Sequence, residues 1–388
     1  MADTVDSAPR NSLVAQAPGE RDARLDVIRG LALITIYINH VPGTVFEHFT
    51  SRNYGFSDAA EAFVLMSGIA AGLAYAGVMA RDAWAGTRRI WGRAWTLYLV
   101  HMATTMMAIG ISAAAARWFG ATRMIEINNM AAFFDDQIGV MIGLPTLMHQ
   151  LGYFNILPLY TVLLLATPGM ILIGRSRPLL LLALSLALWF AAGNLRLNLP
   201  AYPNPGGWFF NPLAWQLVFV VGLLTGLSLK RGERLVPRDR RLLHVAVLFL
   251  LAVLVWRLVP PVAAAGRAMV HAGYDAGVPF FIAGFDKTFL SLPRALHVLA
   301  LFYVVSMLPQ VGAMASSGWA APVALLGRFG LPVFATGSVL SIVGQSIKAA
   351  TEDSFVLDAW IITGGLAIQF LVAAAFAATA ARREPARA

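Results

Sequence analysis

Apolar stretches of bilayer length recur along this chain, and no other feature limits its fold so strongly. About ten can be delimited, near residues 25–46, 57–80, 92–117, 151–173, 178–194, 211–229, 241–259, 292–309, 323–347 and 356–381. A helix needs about 20 apolar residues to cross the hydrocarbon core. A soluble fold is excluded on polarity: 13% of the residues are charged and 58% are hydrophobic, whereas a soluble domain is about 25% charged. The expected fold is all-α, a polytopic integral membrane protein with about ten transmembrane helices and both termini cytoplasmic.

The organisation follows from where polarity returns. Residues 1–24 hold no apolar run and read as a disordered cytoplasmic tail, with no signal peptide. Residues 25–381 read as one transmembrane domain, and 382–388 as a basic cytoplasmic tail. The region 262–290 is ambiguous; Pro279–Phe285 is apolar but too short to span, and reads as re-entrant or interfacial. The net charge of +9 points to cytoplasmic loops rather than to nucleic acid. With the N-terminus inside, most of the 29 Lys and Arg residues fall on the cytoplasmic side, among them Arg10, Arg21, Arg24, Arg81, Arg175, Arg177, Arg382, Arg383, Arg387 and six between Lys230 and Arg241. The outer loops are the long ones. The stretch 202–216, YPNPGGWFFNPLAWQ, sets Asn211 and Gln216 beside Trp208 and Trp215. Its bland reading is an interfacial aromatic belt; its functional reading is a carbohydrate-facing surface.

Ionisable residues within apolar spans are expensive and mark function by default. Arg29 and His40 lie eleven residues apart on the first span, which returns the helix to within roughly 20° of the same face. The rise between them is about 16 Å. Asp26 is placed to pair with Arg29. Asp58 and Glu61 sit i,i+3 at the outer end of the second span, either as a helix cap or as carboxylates that orient the nearby His40 as a general base. His48, in the loop between, is a second candidate base. Gly68 and Gly72 form a GxxxG step that favours close helix packing. Arg88, Arg89 and Arg93 precede the third span, and Arg89 and Arg93 are one turn apart, a spacing suited to phosphate oxygens. Arg294 and His297 are i,i+3 at the outer end of the eighth span, just after Lys287. His101, His149, His244 and His271 are read as structural. The chain has no cysteine, which excludes disulfides, Cys-ligated zinc and an acyl-cysteine intermediate. The scattered histidines give no metal site.

These residues carry a family resemblance. Arg29-x10-His40, the Ser67-Gly68 that ends FVLMSG and the arginines before span three are similar to the acyltransferase family 3 of membrane acyltransferases. RLDVIRGLALITIYINHVPG, RNYGFSDAAEAFVLMSG, GYFNILPLY, GGWFFNPLAWQ, DKTFLSLPRALH and GRFGLPVFATGSVLS, in that order between about residues 21 and 347, resemble the OpgC family, succinyltransferases of osmoregulated periplasmic glucans. The resemblance implies a multi-pass protein of the bacterial inner membrane. It implies transfer of an acyl group from a cytoplasmic acyl-CoA, the donor substrate rather than a resident cofactor, to a glucan hydroxyl in the periplasm.

The family histidine then falls on His40 and the acidic pair on Asp58 and Glu61. Arg88, Arg89 and Arg93 would hold the CoA phosphates, with Arg29 near the pantetheine. The acceptor and acyl pocket would draw on His48, Asn53, Asn211, Trp215, Gln216, Lys287, Arg294 and His297. A succinyl group carries a distal carboxylate, for which Arg294, Lys287 and Arg52 are the outer-side cations. A polar residue is expected in the turn Gly327–Pro332; this chain has Phe329-Gly330 there, which argues against a role for the turn. His40 can act as base or carry the acyl group. O-acetylation of another envelope polysaccharide, and transport or flipping of a lipid-linked sugar, are the alternative readings.

Overall fold

The computed structural model describes residues 22–383. The expected N-terminal tail up to residue 21, with Arg10 and Arg21, lies outside the described residues, as do Arg387 and the end of the basic tail. The fold is helical, and polar caps set where many of its helices begin. Asp22 accepts a hydrogen bond from the Arg24 amide to start α1, Ala23–Asn39. Asp58 and Glu61 form a reciprocal capping box on α2, Ala59–Arg81, which satisfies amides a helix start leaves open. Asp82 caps α3, Ala83–Phe119, which ends at Gly120 with φ 69°, a left-handed position that glycine takes without steric penalty. Two short helices follow, α4 (Ala132–Asp135) and α5 (Gln137–Gly143). Then come α6 (Ile156–Ser176), α7 (Pro178–Asn194), α8 (Pro212–Lys230, capped by Asn211) and α9 (Arg240–Leu258, capped by Asp239). The chain continues through α10 (Pro260–Asp275), α11 (Phe280–Ala283), α12 (Leu292–Met307) and α13 (Pro309–Ala315). It closes with α14 (Ala321–Arg328), α15 (Gly330–Ala350) and α16 (Phe355–Arg383).

Among the described residues seven helices are long and apolar enough to cross a membrane: α2, α3, α6, α8, α9, α15 and α16. The pair α12–α13 passes the same test together but bends by 80°, which raises the number to eight. The expectation of ten spans is therefore met at the level of a polytopic membrane protein, with differences at the first, fifth, eighth and ninth segments. The first and fifth fold as 17-residue helices. Of these, α7 is apolar but short, and α1 carries Arg24, Asp26 and Arg29 in its first half. The expected ninth span breaks at Phe329 into α14 and α15. In the ambiguous 262–290 region, α11 turns inward: Phe281 is fully buried, its ring 5.1 Å from that of Trp189.

Two crossings depend on glycine. Along α2, Gly68 and Gly72 lie against Gly222 and Gly226 of α8. A Cβ on Gly68 would run into the Phe219 carbonyl, and one on Gly72 would approach the Leu223 carbonyl to 2.6 Å. The GxxxG step read from α2 thus has a second one opposite it, the close backbone approach that small residues permit. Gly30 on α1 and Gly327 on α14 make a similar contact, each facing the other helix's backbone. These contacts bring α1, α2, α8 and α14 together in one bundle whose buried core runs from Leu33 and Phe63 to Trp215, Val298 and Phe334.

Candidate active site

His40 follows the last residue of α1, where the helix ends and its ring is free of the helical ladder. Its backbone carbonyl accepts a hydrogen bond from Gln345 Nε2 at 2.7 Å. Gln345 Oε1 in turn accepts from Asn128 Nδ2 at 2.8 Å. This relay joins three distant segments and holds the His40 backbone in place. The imidazole is half-buried, 4.9 Å from the Tyr153 ring. It lines a cavity of about 430 Å³ together with Asn39, Arg52, Asp58, Asn128, Asn129, Tyr153, Asn155, Phe209, Phe210 and Lys287.

The two carboxylates at the start of α2 meet cations. Asp58 accepts from Lys287 Nζ at 2.5 Å and from Arg294 Nη2 at 3.5 Å. Glu61 is fully buried; it accepts from Arg294 Nε at 2.7 Å and from the Asp58 amide at 2.9 Å. The expected carboxylate-to-imidazole hydrogen bond is replaced by a four-charge cluster of Asp58, Glu61, Lys287 and Arg294. A buried charge needs such partners, because desolvation alone is prohibitive. Within the cluster, Asp58 and Lys287 face the His40 cavity, while Glu61 and Arg294 fix them from behind. Trp215 adds to this support: its Nε1 donates to the Lys287 carbonyl at 2.9 Å.

The remaining outer candidates separate by geometry. His297 is bonded through Nδ1 to Ser57 Oγ at 2.7 Å, so it packs behind the loop that carries Asp58. His48 is exposed. Asn53 donates to the Glu47 carbonyl at 2.7 Å and braces the same loop, where Arg52 also pairs with Glu47 at 2.9 Å. Asn211, fully buried, caps α8 and donates to the Leu197 carbonyl. Gln216 is buried and bonded to Ser185, as acceptor at 2.6 Å and donor at 2.8 Å. The carbohydrate-facing surface expected from Asn211, Trp215 and Gln216 is thus turned into the core. The aromatic faces at the cavity come instead from Phe209 and Phe210, in the loop immediately before Asn211.

The amides beside them are Asn128, Asn129 and Asn155, which no sequence motif marks. In the fold Asn128, Asn129 and Tyr153 all have positive φ, between 58° and 70°, which the sequence does not display. That conformation is strained for non-glycine residues and concentrates at functional sites. Asn128-Asn129 is also the kind of pair that tolerates it.

At the other end of the bundle lies a second cavity, of about 490 Å³. Arg29 and Arg93 line it, with Ser67, Tyr75, Tyr160 and the turn Gly327–Pro332. Arg29 contacts Asp26 at 3.5 Å and donates to the Gly327 carbonyl at 3.4 Å. Arg88 and Arg89 are exposed along α3, outside this lining. The turn Gly327–Pro332, whose Phe329-Gly330 argues against a role on sequence, forms one wall of the cavity. Gly327, pressed against α1, seats the turn there, and Arg328 within it also lines the cavity. Among the described residues no cluster of His, Asp or Glu is placed to hold a metal ion.

The fold and these two sites define a polytopic membrane protein with a cationic cavity at one end and a His-, Asp- and Lys-lined cavity at the other. A family model for OpgC proteins matches residues 21–381, nearly the whole chain, and the chain belongs to the OpgC family. Membership makes it a membrane transferase of the acyltransferase kind. No curated protein and no solved structure matches it.

Proposed function

We propose that this chain is an inner-membrane O-acyltransferase that moves an acyl group, succinyl in our reading, from cytoplasmic acyl-CoA to a hydroxyl of a periplasmic glucan. The observation that carries the proposal is the back-to-back placement of the two cavities. The Arg29 and Arg93 cavity offers guanidinium groups for an anionic donor, and these pair well with phosphate oxygens. The His40 cavity offers aromatic faces and amides for a sugar, beside an imidazole. Arg29 and His40 are about 16 Å apart along α1 by helical rise, a reach comparable to a pantetheine arm.

In this reading His40 takes the proton from the glucan hydroxyl as its oxygen attacks the thioester carbonyl. The carbonyl oxygen gathers negative charge in the tetrahedral intermediate, and the Lys287 ammonium at the cavity wall is placed to offset it. The C–S bond then breaks, the ester remains on the glucan, and the imidazolium returns its proton to the departing thiolate. Asp58 holds Lys287 in position, and Glu61 and Arg294 hold Asp58. Arg88 and Arg89 attract the polyanionic donor from outside the cavity. An acyl-histidine route remains the alternative for the same residues. The second reading, a transporter or flippase of a lipid-linked sugar, draws on the same pair of opposed cavities. Labelled succinyl-CoA and acetyl-CoA separate these readings: binding to the purified protein supports acyl transfer, and absence of binding overturns it. Mass spectrometry of periplasmic glucans from a deletion strain, with and without the restored chain, tests the acceptor and the acyl group.

A further inference from the structure

The two cavities approach each other closely, and four helices line both. From α1, Ile36 and His40 border one cavity and Arg29 the other; from α2, Ala60 borders one and Phe63 the other. On α6 the change of side occurs between Ile156 and Leu157. On α15 a single side chain, Phe334, borders both. The residue is 4% exposed, and its ring centroid lies 6.0 Å from that of Phe63.

We infer that Phe334 is the partition between the two cavities, and that a donor's acyl arm crosses the protein where its ring stands. The inference rests on the acyl-transfer reading above and assigns that reaction a positioning residue with no polar side-chain atom of its own. The thioester end of an acyl-pantetheine arm, cysteamine joined to β-alanine, is thin and unbranched, so displacement of one aromatic ring opens a path wide enough for it. A closed ring, in turn, keeps outer water from the donor cavity when no arm occupies the crossing. Exclusion of water protects a reactive thioester from hydrolysis. Phe334 lies one turn into α15, which starts at the Phe329 break beside the Arg29 cavity. The ring is therefore carried by the same helix whose first turn lines the donor side.

The chain has no cysteine, so a single introduced thiol reports without background. Ala74 is exposed and borders the Arg93 cavity. The full chain carrying Ala74→Cys is placed in sealed vesicles of known orientation, and a membrane-impermeant methanethiosulfonate is added to one face at a time. From the Arg93 face, labelling is expected at the same rate with any residue at 334. From the His40 face, Phe334→Ala is expected to accelerate labelling at least about tenfold, the factor given by loss of about 1.4 kcal/mol of closure. Phe334→Trp is expected to leave labelling as slow as in the parent. Phe334→Leu, which keeps an apolar core residue, serves if the alanine variant does not fold. Unchanged labelling from the His40 face in the alanine and leucine variants overturns the partition. Hydrolysis of succinyl-CoA without acceptor, measured in the same vesicles, is expected to rise with Phe334→Ala. Faster labelling without faster hydrolysis leaves the partition standing and sinks the acyl-CoA reading instead.

Discussion

Arg294→Gln distinguishes a stabilising cation from one that selects the acyl group. On sequence alone Arg294 was a candidate for the distal carboxylate of a succinyl donor. In the structure its guanidinium is already committed to Glu61 and Asp58, and its side chain is 12% exposed against 0% for Glu61. Replacement leaves Glu61 in the core with the Asp58 amide as its one remaining hydrogen-bond donor among the described residues. Breaking a buried pair from one side costs about 3–5 kcal/mol, a large part of the 5–15 kcal/mol typical of a folded domain. The double variant Glu61→Gln with Arg294→Gln should recover most of that loss. A glutamine at this position still accepts from the cap residue's amide, and no charge is left alone. The assay is a thermal unfolding series in detergent, followed by tryptophan fluorescence, over the four corners of the mutant cycle. Donor preference between succinyl-CoA and acetyl-CoA is measured on each variant that folds. We expect a lower unfolding temperature for Arg294→Gln, recovery in the double variant, and an unchanged preference ratio in both. A fully stable Arg294→Gln protein whose preference moves towards acetyl-CoA would refute this reasoning and return Arg294 to the acyl pocket.

Further substitutions test the two cavities and the scaffold between them. His40→Ala should lower glucan modification by about 10²–10⁴-fold with normal membrane insertion; near-normal modification in a well-expressed strain would remove His40 from the chemistry. Arg93→Ala should weaken acyl-CoA binding about tenfold or more, as loss of a contact to a charged group predicts, and Arg88→Ala should have a smaller effect. Equal losses from the two, read by binding of labelled acyl-CoA, would argue against the cavity as the donor site. Gly68→Leu should prevent stable accumulation, because its side chain would enter the Phe219 backbone on α8; wild-type levels on size-exclusion chromatography would count against that helix crossing.

Features that depend on short stretches of chain were legible in the sequence. The long apolar helices follow from composition alone, since lipid admits no unsatisfied backbone. Asp58 and Glu61 were recognisable as a possible cap because a capping box needs only residues three apart, and the structure contains that box. Arg29 and His40 were placed towards opposite ends of α1 by helical rise, and they do border opposite cavities. The family resemblance read from ordered motifs agrees with the match over residues 21–381.

Tertiary packing decided the rest, because helix faces are assigned only when helices meet. Lys287 and Arg294 reach the α2 carboxylates from positions 229 and 233 residues away, which no local pattern encodes. Asn211, Trp215 and Gln216 have the residue types of a sugar site, yet α8 rotates them into the core to cap, brace and bond to α7. Phe209 and Phe210 take the cavity in their place. Arg88, Arg89 and Arg93 look equivalent as a run of cations, but the face of α3 that meets the bundle admits only Arg93 to the cavity. Phe334 is one phenylalanine among 23. Its place between the cavities exists because the Gly30–Gly327 and Gly68–Gly222 contacts set how closely α1, α2, α8 and α14 approach. Local chemistry determined what each segment could become, and backbone-to-backbone distances between remote helices determined which side chains share a cavity.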